Sequence, residues 1–145
     1  MSERIEFTVP LPPVSWRKNS RATRWYKTAD AVAYSETVYA TACDSFATRV
    51  AMALSSAVRP WARARVSYEW RYCGTKPDPA NVPANVALLQ DILCMAPNVG
   101  IQRHPSKITY LGLIEDDKHI EPSWTATRVR HRTDECVRIE IERLP

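Results

Sequence analysis

The sequence predicts an α+β domain: a small mixed β-sheet with two main helices packed on it, in the order β-α-β-α-β-β. Three observations carry this. Four segments alternate apolar and polar residues with period two, two longer segments repeat apolar residues at spacings of three and four, and prolines separate them. The length, 145 residues, suits one compact domain around one core.

The first strand is set by Ile5, Phe7 and Val9 on one side and Arg4, Glu6 and Thr8 on the other, and Pro10, Pro12 and Pro13 end it. The first helix starts from a cap at Thr28 or Asp30. It carries Tyr39, Cys43, Phe46, Ala47, Val50 and Leu54 as one apolar stripe, and stops before Arg59-Pro60. The clearest strand has Ala64, Val66, Tyr68, Trp70 and Tyr72 facing the core and Arg63, Arg65, Ser67, Glu69 and Arg71 facing water. A second helix runs from about Pro83 to Cys94, with Val86, Leu89, Ile92 and Leu93 on its apolar side, and Pro97 stops it. Residues 95–110 lack a period and form a long irregular loop. A weaker strand covers about Ser123 to Arg130, Thr133, Asp134 and Glu135 turn the chain, and Val137, Ile139 and Ile141 mark the last strand.

Composition excludes several classes. With 45% hydrophobic and 25% charged residues, the chain is neither disordered nor fibrous, and with 3 Gly it has no Gly-rich nucleotide cradle. No membrane span and no signal peptide can be drawn. Cys43, Cys73, Cys94 and Cys136 form no CxxC pair and have no histidine at finger-like spacing. They are expected to be reduced, mostly buried thiols of a cytoplasmic protein.

The net charge of +4 is unevenly placed. Between Glu6 and Asp30 there is no acidic residue, while Arg17, Lys18, Arg21, Arg24 and Lys27 mix with Trp16, Trp25 and Tyr26. Cations answer phosphates and flat rings answer unstacked bases, so this segment is a candidate nucleic-acid contact. The carboxylates fall elsewhere: Asp78 after the second strand, Asp91 on the second helix, and Glu115-Asp116-Asp117 before the third strand. Hard oxygens at the ends of different elements are what Mg²⁺ or Mn²⁺ requires, and a basic surface around them suits a metal-dependent nuclease. A turn role for each is the ordinary alternative. Of the three histidines, His119, two residues past Asp117, is the one within reach of these acids.

In their order these passages resemble the RusA-type Holliday junction resolvases, small and largely phage-borne crossover junction endodeoxyribonucleases. The passages are Phe7-Thr8-Val9-Pro10-Leu11-Pro12-Pro13, the helix with Ala31-Val32-Ala33-Tyr34, Asp78-Pro79-Ala80-Asn81-Val82, Leu88-Leu89-Gln90-Asp91, and Leu113-Ile114-Glu115-Asp116-Asp117-Lys118-His119-Ile120. The resemblance covers about residues 5–142 and implies a single RusA-like domain over 1–145, with the 95–110 loop inserted. It implies a homodimer that binds branched DNA and cuts two strands of a four-way junction with Mg²⁺. Asp78 and Asp117 would then be metal ligands, Asp91 and Asp116 supporting carboxylates, and Asn81 would orient the loop or a ligand. Lys76 and Lys118 would join the basic segment on the DNA.

Two positions depart from the family pattern. Ala80 stands where a second aspartate is usual, and Ala87 stands where a lysine precedes the helix aspartate by four residues. They motivate a second reading, a RusA-fold protein that binds DNA or a protein partner in a regulatory or counter-defence role without cutting.

Overall fold

The computed structural model describes residues 3–14, 24–57, 59–95 and 108–145. Its strands are β1 (Arg4–Val9), β2 (Ala64–Tyr72), β3 (Ile120–Arg128) and β4 (Cys136–Arg143). Its helices are α1 (Arg24–Asp44), α2 (Phe46–Ala57), α3 (Val82–Asn85) and α4 (Ala87–Leu93). The protein is therefore α+β, with one four-stranded mixed sheet in the order β1-β4-β2-β3. β4 is antiparallel to both neighbours, and β2 and β3 are parallel. A parallel pair needs a crossover, and the segment carrying α3 and α4 supplies it.

Period two gives each sheet side its character. Ile5, Phe7 and Val9 of β1, Ala64, Val66, Tyr68 and Trp70 of β2, and Val137, Ile139 and Ile141 of β4 are buried, and they join the buried helical residues in one cluster. The other side is polar and self-compensated. Arg4 pairs with Glu140, Arg138 with Glu6 at 2.6 Å, Arg65 with Glu142 at 3.5 Å and with Glu121 at 3.3 Å, and Arg71 with Glu69. Each exposed pair adds little stability, but together they cancel the charge of that face.

The helices differ from expectation in two ways. α1 begins at Arg24, ahead of Thr28 and Asp30, because no proline or glycine between Pro13 and Pro60 forces a later start. The single long helix is divided at Ser45, whose Oγ accepts the Thr48 N–H at 3.3 Å and so caps α2. The expected stripe also faces outward: Tyr39, Phe46, Val50 and Leu54 are exposed, Ala47 is exposed and Cys43 is half-buried. The inward face of α1 is instead Ala31, Tyr34, Val38 and Ala42, with Ala51 on α2. Both helices pack against β1, where small side chains permit close approach. Tyr34 Oη ties α1 to the end of β1 by donating to the Pro10 carbonyl at 2.6 Å.

The second helix is likewise split, at Val86, into the short α3 and α4. β3 lies three residues before its expected start, and a 3₁₀ turn at Arg132–Asp134 joins it to β4. All four cysteines are free thiols, but Cys94 alone is fully buried, against the expectation that most would be. The expected irregular loop lies largely outside the described residues, as do Trp16, Arg17, Lys18 and Arg21. No helix among the described residues is long and apolar enough to cross a membrane.

Candidate functional site

The site is built where α4 ends. Leu88, Leu89, Ile92 and Leu93 turn into the core, so Gln90 and Asp91 are left on the open side of the helix. The chain returning at residue 108 is laced to this helix end by its backbone. Leu111 N–H donates to Ile92 O at 2.8 Å, Gly112 N–H to Cys94 O at 3.1 Å, Leu113 N–H to Leu93 O at 3.1 Å, and Met95 N–H to Ile114 O at 2.9 Å. Gly112 has φ +67°, a left-handed conformation that glycine adopts without strain. Trp61 fixes the same segment from the other side, donating to Leu113 O at 2.8 Å and accepting from Glu115 N–H at 2.9 Å. With Leu111, Leu113 and Ile114 buried, the acids that follow emerge beside Asp91.

Asp116 caps the 3₁₀ turn Asp117–His119, its Oδ1 accepting the Lys118 N–H at 3.1 Å, and Lys118 Nζ lies 3.6 Å from Asp116 Oδ2. That backbone hydrogen bond, with a second from the Asp117 side chain, holds the Asp116 carboxyl below its ordinary value, and His119 acts in the same direction. Asp117 is raised, first by its hydrogen bond to Asp116 and then by burial. The two neighbours are thus shifted in opposite directions by the hydrogen bond between them. Asp91 is raised by partial desolvation and by the Asp117 charge. Burial, followed by Asp117, Asp91 and Asp116, pushes the Cys94 thiol up to about 12. Behind them the buried Tyr68 hydroxyl, raised by burial and then by Cys94 and Asp91, donates to Gln90 Oε1 at 3.3 Å.

The structure therefore brings Asp91 within electrostatic reach of Asp117, which is hydrogen-bonded to Asp116, with His119 at the edge of that pair. Asp78 stands apart. Its Oδ1 accepts the Ala80 N–H at 3.0 Å and its carbonyl accepts the Asn81 N–H at 2.8 Å, so it caps its own turn, and it is not among the groups that shift the other three. Asn81 is half-buried at the end of that turn with no capping bond from its side chain, and Lys76 is exposed in the loop before it. Arg24, Trp25 and Lys27 fall in the first turns of α1.

Sequence reasoning missed Cys94, Tyr68 and Gln90 as the floor of the site. The available signal was the apolar run Leu111-Gly112-Leu113-Ile114, which must be buried and so draws the following acids to the core edge. The donor chemistry suits a hard divalent cation: these are carboxylates, and the Asp117 charge raises Asp91. Among the described residues, no three His, Cys, Asp or Glu side chains stand close enough to hold a metal ion as they are placed.

Comparison with protein-family models, curated proteins and solved structures returns no match.

Proposed function

We propose that the chain is a RusA-like, Mg²⁺-dependent DNA endonuclease of the cytoplasm that resolves four-way junctions by paired phosphodiester hydrolysis. The observation that supports this best is the proximity of Asp91, from α4, to Asp117, which is hydrogen-bonded to Asp116 in the chain entering β3. Asp91 and Asp117 would hold the cation, Mg²⁺ or Mn²⁺, and Asp116 would support it. A bound divalent ion polarises a phosphate and lowers the pKa of water. The chain's own contribution is orientation and proton handling. Asp116 and Lys118 hold the turn that presents Asp117, and the Asp117 carboxyl, which keeps a proton more readily than an ordinary aspartate, can exchange one beside a leaving oxygen.

The purified protein, incubated with a synthetic four-way junction and Mg²⁺ or Mn²⁺, should make paired symmetric cuts. Asp91→Asn and Asp117→Asn should each lower the rate by about 100-fold or more, as expected when a metal ligand is lost. Asp78→Asn should lower it less, because Asp78 caps its own turn. Absence of cleavage, or cleavage indifferent to Asp91 and Asp117, would sink the proposal.

The engagement of the Asp78 carboxylate in its own turn, with Ala80 and Ala87, favours the second reading, a non-catalytic RusA-fold protein that binds DNA or a protein partner. It predicts tight junction binding without turnover and no Mg²⁺ site in a calorimetric titration.

A further inference from the structure

The arginines of the sheet strands and the turns beside them divide into two groups by what they face. Arg4, Arg63, Arg65, Arg71, Arg138 and Arg143 each have a carboxylate within ion-pair distance. Arg128, Arg130 and Arg132, which follow one another in the turn from β3 to β4, form no ion pair among the described residues, and all three are exposed, with His131 between them. A sheet that matches its other arginines so consistently leaves these three open at one end.

The turn that carries them is held rigid by its backbone. Val129 N–H donates to Tyr72 O at 2.8 Å, which ties the chain just past β3 to the end of β2, and the chain then bends at Arg130. Asp134 N–H donates to His131 O at 3.0 Å and Glu135 N–H to Arg132 O at 3.1 Å. Cys73 locks the turn to the end of β2, its N–H donating to Glu135 Oε2 at 3.2 Å and its thiol to Arg130 O at 3.6 Å. Of the nearby acids, Glu135 is engaged by Cys73, whose N–H it accepts, while Asp134 is exposed in the same turn and forms no ion pair among the described residues. The loop leaving β2 adds the exposed Lys76.

We infer that this turn is a second contact for the phosphate backbone of duplex DNA, gripping an arm remote from the acidic site. The guanidinium fork matches phosphate oxygens, and ordering in advance lowers the entropic cost of binding. Asp116 and Asp117 precede the start of β3 and the arginine turn follows its end, eight residue steps or about 26 Å away. A duplex spanning both would be held at one end and approached by the carboxylates at the other. The contact is with the backbone and independent of sequence. The inference rests on the DNA-binding half of the function proposed above.

The test is binding by fluorescence anisotropy, in EDTA, to a labelled duplex and to a four-way junction at several salt concentrations. The proteins compared are the full chain, an Arg128→Ala/Arg130→Ala/Arg132→Ala variant, and Arg65→Gln as an ion-paired control. Each phosphate contact contributes about 0.9 to the slope of log K against log salt, so the triple variant should lose about 2.7 of that slope. It should also bind both DNAs on the order of 10-fold or more weaker at low salt, whatever their sequence. Arg65→Gln should leave the slope unchanged, and circular dichroism of the triple variant should match the parent. An unchanged slope in the triple variant overturns this inference and leaves the nuclease proposal standing. A parent chain that binds neither DNA overturns both. A lost slope in a chain that cuts nothing with Mg²⁺ or Mn²⁺ supports this contact and removes only the catalytic claim.

Discussion

Asp91 is the residue whose environment makes the clearest demand. Its carboxyl is raised by desolvation and by Asp117, which means that the fold disfavours its charge. A group whose folded pKa lies above its unfolded value contributes stability below the unfolded value, near pH 4, and that contribution is lost as pH rises through the folded value. Asp91→Asn should therefore stabilise the protein at pH 7 by on the order of 0.5 kcal/mol, a figure discounted because the side chain is exposed, and should give nothing at pH 3. Urea melts at the two pH values check it, and an equal gain at both would show that charge is not the cause. Asp116 runs the other way, since its lowered value adds stability above the unfolded pKa that disappears as pH falls. Its shift and that of Asp117 are opposite in direction, so the acid limb of stability should depend less on that pair than on Asp91.

At the scale of elements, α1 and α2 show where patterning informs and where it does not. Their spacing announces helices, but it offers two apolar faces, and the more hydrophobic one lies outward. Phe46 is 72% exposed and Leu54 51%, while Val38 and Ala42 are completely buried. The choice is made in packing on β1, where Ile5, Phe7 and Val9 are buried and α1 buries Ala31, Tyr34, Val38 and Ala42. No property of the helix sequence alone contains that constraint. A pair of substitutions tests the orientation by chemical denaturation. Val38→Ala should cost about 2 kcal/mol, from two buried methyl groups and the cavity they leave. Phe46→Gln should stay within about 0.5 kcal/mol, losing chiefly the Arg49 contact over its ring. The strands were more legible, because Ile5, Phe7 and Val9 or Val137, Ile139 and Ile141 have one apolar side and no competing choice. The acidic site was legible in its members Asp91, Asp116 and Asp117. It was not legible in the local engagement of Asp78, whose turn is closed by its own backbone and side chain.

For the whole molecule, the decisive feature is that the last strand in the chain is an inner strand of the sheet. β4 lies between β1 and β2, pairing Arg4 with Glu142 on one side and Val66 with Ile141 on the other. Val137, Ile139 and Ile141 have no exposed surface. Chain segments near a terminus usually tolerate removal because little of their backbone is buried or bonded, but here residues 136–143 bond on both edges. Without them β1 loses its sheet partner, β2 gains a bare edge, and the apolar faces of both open to water. The core contribution of three large aliphatic side chains, at about 1.5–3 kcal/mol each, is comparable with the whole net stability of a small domain. A chain ending at Glu135 should therefore show no cooperative thermal transition and should aggregate, whereas a chain ending at Arg143, lacking only Leu144 and Pro145, should melt cooperatively. Far-ultraviolet circular dichroism on heating separates the two outcomes. A cooperative melt in the shorter chain would mean that the sheet closes without β4, and the β1-β4-β2-β3 order would have to be abandoned.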